Sequence, residues 1–178
     1  MLVLNSLLQN ESIISLRNGG LLGETSGFII NPSNLKIEAL KCNINSPKKQ
    51  LFLLNQDIRD ISDNKILVND YDALSEASDL IRLKDLIDLN FMIVGKPVVT
   101  KSKQKLGKVR EFAVESTGFF IQKLYITQPL YKNVYGSQLV IDRNQILEVT
   151  DTKIVIKDLL QPTKLKRTIV AGSVSGAV

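Results

Sequence analysis

The chain has 178 residues, a formal net charge of +5 and 44% apolar residues, an apolar share typical of folded globular proteins. It contains no histidine and a single cysteine. The missing histidine excludes a Ser-His or Cys-His nucleophile and the Cys/His structural zinc sites, and one cysteine excludes an internal disulfide.

Several segment types are not expected from the sequence. No apolar run approaches the roughly 18–20 residues that span a bilayer. Met1 to Leu8 lacks the basic start, long apolar core and cleavage site of a signal peptide. The single thiol, Cys42, ends an apolar strand and is expected to be buried and inert. We therefore expect a cytoplasmic protein without an integral membrane segment.

The first seventy residues predict a small β-domain behind a short apolar lead-in. Asn18-Gly19-Gly20 supplies the positive φ angles of a tight turn after the first strand. β-branched and aromatic runs bounded by turn residues are typical of strands. The predicted strands begin with Ile13, Ile14 and Leu16 and continue through Phe28 to Ile30, Leu35 to Cys42, Leu51 to Leu54 and Lys65 to Val68.

The next segment, 71–92, has a different pattern. Apolar residues recur at helical spacing at Leu80, Leu83, Leu86 and Ile87. Ser75 or Ser78 could cap the start of this helix. The pattern predicts a helical linker that docks an apolar face between two domains, with a less regular lead-in as the alternative.

Residues 93–160 predict a second β-domain that repeats the first. Subtracting 84 maps Val98 to Leu124 onto Ile14 to Leu40, which aligns two Leu-Gly pairs. Beyond a longer loop the offset becomes 88, and Leu51 then aligns with Leu139. A fixed offset interrupted by one loop insertion indicates duplication of a folded unit. We refer to the two units as copy one and copy two.

Both copies resemble the PRC-barrel family, named after the H subunit of the photosynthetic reaction centre and also found in a bacterial ribosome-maturation factor. Copy two carries the pattern in GKPVVTKSKQKLGKV, EFAVESTGFFIQKLYI, SQLVIDRNQILEV and DTKIVIKD, and copy one carries it in SIISLRNGGLLGE, GFIINPSNLKIEALKC, KQLFLLNQDIRDI and DNKILVND. The resemblance implies an all-β fold of two tandem small PRC-type β-barrels joined by a short helical linker. The expected divisions are 1–70, 71–92, 93–160 and a basic, flexible tail at 161–178.

Positive charge is concentrated in copy two. Five cations form what we call the basic hairpin: Lys101, Lys103, Lys105, Lys108 and Arg110. Alternation along an extended strand would put the first three on one side. Lys164, Lys166 and Arg167 form a second basic cluster. Basic clusters attract phosphate backbones, so both are candidate nucleic-acid contacts, although lysines also solubilise exposed strand edges.

A long loop in copy two, 128–138, carries candidate protein contacts. Tyr131 and Tyr135 lie on it, and loop tyrosines are typical anchors at protein interfaces. The alternative is that both rings fold back over the end of the barrel.

The remaining chemistry is sparse. Carboxylate pairs such as Asp57/Asp60 and Asp85/Asp88 lie in turns or on a solvated helix face, so we predict no metal site, no cofactor and no catalysis. The sequence favours an adaptor that docks on a protein partner, with an RNA- or ribosome-associated assembly factor as the alternative. A homodimer through exposed strand edges is a further possibility.

Overall fold

Each copy folds mainly as one β-sheet, because its apolar residues fall in short extended segments separated by turn residues. The computed structural model describes residues 1–44, 50–62, 64–127 and 139–158. The strands of copy one are β2 (Ser12–Ser15), β3 (Leu21–Asn31), β4 (Lys36–Asn43), β5 (Gln50–Leu54), β6 (Ile58–Ser62), β7 (Lys65–Val68) and β8 (Leu74–Ser75). Those of copy two are β9 (Pro97–Thr100), β10 (Lys105–Glu115), β11 (Ile121–Thr127), β12 (Leu139–Asp142), β13 (Ile146–Val149) and β14 (Ile154–Ile156), and β1 (Leu2–Leu4) precedes all of them.

The two sheets have the same topology. Copy one has the order β6-β7-β2-β3-β4-β5-β8, and copy two has β13-β14-β9-β10-β11-β12, with β1 added on β10. Most pairs are antiparallel, but β2 with β7 and β9 with β14 are parallel. The structure is thus mostly β, with two sheets. Among the described strands, no pairing joins the two edge strands of either sheet, so neither sheet forms a closed barrel there.

The duplication extends to the irregularities of the sheets. A β-bulge bends a strand and increases its twist, so its position affects the shape of the whole sheet. The longest strands, β3 and β10, carry bulges at positions that differ by 84. These register shifts lie at Thr25/Gly27 and Ile29/Ile30 in β3, and at Val109/Glu111 and Ala113/Val114 in β10.

The first strand of each copy departs from that offset by one residue. Ile13 pairs with Gly23, and Val98 pairs with Gly107, so these strands align at an offset of 85 rather than 84. The reason is turn length. The Ser15 N–H bonds the carbonyl of Gly20, five residues on, whereas the Thr100 N–H bonds that of Gln104, four residues on. The sequence alignment of the first strand was therefore wrong by one position.

The two copies share a continuous apolar core. The Phe28 and Phe112 rings, which are equivalent by the offset of 84, meet edge to face with centroids 5.7 Å apart. Nearby, the Ile37 N–H donates to the Phe119 carbonyl, and the Ile121 N–H donates to the Leu35 carbonyl. The two bonds are equivalent, because Ile37 corresponds to Ile121 and Leu35 to Phe119 by the offset of 84. The contact therefore follows a local two-fold axis.

The backbone at this axis is unusual in the same way on both sides. Leu35 has a φ of 53° and Phe119 a φ of 59°, a left-handed conformation that is rare for large side chains. Both side chains are buried. Since each residue supplies the carbonyl that the other copy bonds, the strained turns are held by the contact between the copies.

The segment that precedes each copy packs on the other copy. Val3 in β1 pairs with Val114 in β10, and the Asn5 side-chain oxygen accepts a hydrogen bond from the Phe112 N–H at 2.8 Å. In the opposite direction, the linker places helix α1 (Lys84–Leu89) against β3 of copy one. The two copies are therefore held together by exchanged segments as well as by their core.

The linker is only partly the predicted helix. The residues expected on its apolar face do pack together, against Ile29, Ala39 and Phe52 on the outer face of copy one; they are Leu80, Leu83, Leu86 and Ile87. That face docks on one sheet rather than between the copies. Ser75 does not cap the helix, because it belongs to β8 and pairs with Phe52. The α-helix begins at Lys84, after a 3-10 turn at Ile81–Leu83.

Candidate functional site

The basic hairpin of copy two forms a tight turn between β9 and β10. The Thr100 N–H donates to the Gln104 carbonyl and the Lys103 N–H donates to the Thr100 carbonyl, each at 2.9 Å. Lys103 has a left-handed φ of 66°. Lys101 and Lys103 therefore lie in a turn and only Lys105 begins a strand, so strand alternation does not determine where the three side chains point. All three are nevertheless exposed.

A single carboxylate holds this turn to the end of β14. Asp158 accepts hydrogen bonds from the backbone N–H of Ser102 at 3.0 Å and from its hydroxyl at 2.7 Å. These bonds hold the pKa of the Asp158 carboxyl below its ordinary value, and the nearby charge of Lys101 acts in the same direction. The carboxylate therefore ties the turn to the end of β14, and the side chains of Lys101 and Lys103 are exposed.

The remaining cations of the basic hairpin continue along β10. Lys108 and Arg110 are exposed on either side of the buried Val109. The Arg110 guanidinium lies 3.9 Å from the Glu111 carboxylate, a distance at which a surface ion pair contributes little. The structure thus brings the five predicted cations onto one hairpin. Lys164, Lys166 and Arg167, like Tyr131 and Tyr135, lie outside the described residues.

Copy one serves as an internal control for these charges. It builds the corresponding hairpin from β2 and β3 with the same bulges, but with different side chains. The counterparts of Lys105, Lys108 and Arg110 are Leu21, Glu24 and Ser26. The fold therefore does not require basic residues at these positions.

Copy one instead exposes a surface that we call the apolar row, made of Leu21, Ile14, Leu67 and Leu16. Ile14 pairs with Leu21 on one side and with Leu67 on the other, which places the three side by side across β3, β2 and β7. Leu16 lies in the turn after β2, where its N–H bonds the carbonyl of Val68 at the end of β7, next to Leu67. Leu21 is 58% exposed and Leu16 is 55% exposed. The matching row of copy two contains Lys105, Val99 and Val155.

Sequence reasoning missed the apolar row. It assigned these residues to the strands of copy one without asking which face each occupies. The available signal was the run Ile13-Ile14-Ser15-Leu16, where apolar residues occupy both faces of one strand although only one face of the sheet covers the core.

Cys42 is fully buried, as expected. Burial away from water raises the pKa of its thiol to about 12. Since the thiolate is the reactive form, this environment makes the residue a poor nucleophile at neutral pH.

Comparison with known proteins adds no family assignment. No protein-family model matches the chain, and a search of curated proteins finds no match either. Within the described part of the chain, none of the helices has the length and apolar character needed to cross a bilayer.

Proposed function

We propose that this chain is a non-catalytic, cytoplasmic adaptor built from two PRC-barrels that docks on a protein partner. The sequence resemblance supports the family. The two sheets of matching order, each with one parallel strand pair, support a duplicated β-unit. The observation that carries the docking role is the apolar row of copy one.

The apolar row suits a protein contact for a physical reason. Apolar surface left in water forgoes about 25 cal/mol for each Å² that a partner could cover. Copy two places Lys105 where copy one has Leu21, so a leucine is not needed for folding at that position. A partner with a complementary apolar face explains why copy one keeps leucines exposed there.

The test gives copy one the lysine that copy two has at the equivalent position, Lys105. Leu16→Ser with Leu21→Lys removes the exposed part of the row while retaining a side chain that this fold already accepts. The tagged variant and the wild-type protein are used for affinity capture from the source lysate, at moderate salt and with ribonuclease. We expect one stoichiometric protein partner with the wild type and its loss with the variant. Equal capture by both proteins would contradict the proposed docking surface.

A control variant separates contact from damage. Val140→Ser with Leu147→Lys makes the same two kinds of change at exposed apolar positions of copy two, away from the row, and alters the net charge equally. It is expected to capture the partner as the wild type does, with an unchanged circular dichroism spectrum.

A second function, an RNA- or ribosome-associated assembly factor, is favoured by the basic hairpin. Its cations are exposed, and the fold does not require Lys105, Lys108 or Arg110. For such a surface, affinity for RNA should fall steeply with salt. Replacing Lys101, Lys103 and Lys105 by Glu should reduce the slope of log K against log salt by about 2–3, since each phosphate contact contributes about 0.7–0.9.

Its control is a second triple charge reversal, at Lys65, Lys84 and Lys153, which are exposed outside the hairpin. Both triple variants change the net charge equally. If the two weaken RNA binding to the same extent, the effect comes from overall charge and the hairpin is not an RNA site.

A further inference from the structure

A cleft of about 480 Å³ lies where the two copies meet. Its walls come from β3 and β4 of copy one and from β10 of copy two. Two segments outside these strands complete it, the lead-in with Asn5 and Gln9 and the linker from Asn90 to Val94. The apolar part of its lining includes Phe28, Ile30, Phe91, Met92, Ile93 and Phe112. Volumes of about 300–1,000 Å³ with a mainly apolar lining are typical of small-molecule sites, which occur preferentially between domains.

Each copy contributes one cation to this cleft. Lys41 comes from β4 and Arg110 from β10, and both line the cavity. Partial burial lowers the pKa of the Lys41 ammonium, as expected where water cannot fully solvate the charge. Its Nζ donates at 2.5 Å to the side-chain oxygen of Asn90, a neutral group that does not cancel the charge.

The fold positions Lys41 from outside the two sheets. Asn90 ends helix α1 in a left-handed conformation, with φ of 45°, and its N–H bonds the Leu86 carbonyl. Asn tolerates this conformation better than most residues with a side chain. The end of helix α1 thus positions the Asn90 amide, and the hydrogen bond from Lys41 to this amide keeps the ammonium at the rim of the cleft.

The charge at the cleft is not a product of the duplication. The counterpart of Arg110 is Ser26, which lines the same cavity, and the counterpart of Lys41 is Tyr125. The local two-fold axis relates the Phe28–Phe112 pair, but not the cations. A ligand would meet an aromatic ring from each copy and two cations, of which Arg110 also lies 3.9 Å from the Glu111 carboxylate.

We propose that this cleft binds a small organic anion with an apolar, ring-containing body, whose carboxylate or phosphate is held by Lys41 and Arg110. The apolar walls accept the body, and the two cations supply charge-assisted hydrogen bonds to the acidic group. Because the cations come from different copies, the ligand bridges them. This inference does not depend on the identity of the adaptor's partner.

The test compares two probes of nearly the same shape on the full chain by titration calorimetry. 2-Naphthoate carries the negative charge, and 2-naphthamide replaces it with a neutral amide. We expect one naphthoate site per chain and affinity for the amide that is lower by about tenfold or more, the usual size of a charged hydrogen-bond contribution. No binding of naphthoate at millimolar concentration, or equal binding of both probes, overturns the proposal.

Variants then locate the site. Lys41→Gln with Arg110→Gln should weaken naphthoate binding by at least about tenfold and change naphthamide binding little. Gly27→Val should block both probes by filling the cleft, since a Cβ at Gly27 lies 3.5 Å from the Lys41 Cδ, an ordinary contact that the fold accommodates. Lys153→Gln, an exposed charge outside the cleft, is the matched control. Wild-type affinity in both cleft variants overturns the assignment.

Discussion

Gly107 gives the sharpest test of how the sequence specifies this fold. It is the glycine of the Leu-Gly pair in copy two, and its φ of +151° is one that residues with a side chain rarely adopt. A Cβ added there would lie 2.1 Å from the Thr127 carbonyl oxygen at the end of β11. Real Cβ contacts are longer than 3.0 Å, and the obstacle is backbone rather than a movable side chain.

The cost of Gly107→Ala follows from these two effects. Backbone strain of this type costs about 1–3 kcal/mol, and forcing extra volume into a packed site costs about 1–3 kcal/mol more. We expect a loss of about 2–6 kcal/mol, a large part of the 5–15 kcal/mol that typically stabilises a domain. Guanidinium unfolding followed by circular dichroism measures this loss as a lower midpoint with an unchanged slope.

Two other glycines complete the experiment. Gly23, the counterpart in copy one, has its virtual Cβ 2.4 Å from the Asn43 carbonyl oxygen but no positive φ, so Gly23→Ala should cost about 1–3 kcal/mol from the collision alone. Gly27→Ala adds a Cβ at an ordinary 3.5 Å contact in the same strand and should change stability by less than about 0.5 kcal/mol. If Gly107→Ala lowers the free energy of unfolding no more than Gly27→Ala does, β11 does not approach β10 as closely at Gly107 as the structure shows.

Three further outcomes are expected. Cys42 should resist a thiol reagent at pH 8 in the folded protein and react once guanidinium unfolds it, because burial raises its pKa to about 12; fast labelling of the native protein would contradict this. Asp158 has a lowered folded-state pKa, so its stabilisation is complete above its unfolded pKa of about 3.9 and is lost as the pH falls through the folded-state pKa. Asp158→Asn should flatten the fall of the unfolding midpoint between pH 5 and 3, and an unchanged pH profile would show that its bonds to Ser102 do not stabilise the fold. Phe112→Ala should lower the free energy of unfolding by about 3–5 kcal/mol, because the side chain is buried. A double-mutant cycle with Phe28→Ala should show a coupling of about 0.5–1.5 kcal/mol between the two rings. A coupling of zero would show that the rings do not meet.

Much of the strand pattern was predictable from the sequence, because turn residues and alternating apolar residues act locally. The duplication was readable for the same reason, since Phe28 and Phe112 occupy identical places in two similar local patterns. The offset of the first strand was not readable. Copy one has one extra turn residue before Gly20, and only the hydrogen bonds show on which side of the turn it falls.

Features set by distant contacts could not be predicted. Three apolar residues at Leu2–Leu4 carry no information about which of many strand edges they join, and the linker leucines do not reveal which sheet they cover. At the candidate surfaces, exposure of the basic hairpin was predictable because lysine is rarely buried. Exposure of Leu16 and Leu21 was not, since an exposed leucine and a core leucine look alike in sequence. The roles of Tyr131 and Tyr135, and a homodimer through strand edges, stay predictions.

The exchange of segments also sets the timing of assembly during synthesis. Asn5 bonds Phe112, a residue that is added 107 positions later. At about 5–20 residues per second, the ribosome needs about 5–20 s to deliver the partner of β1. Copy one emerges with its own strands complete, while the strand in front of it has no edge to join until β10 has left the exit tunnel. The residues of β1 are thus made well before the strand with which they pair, and they reach their final position late.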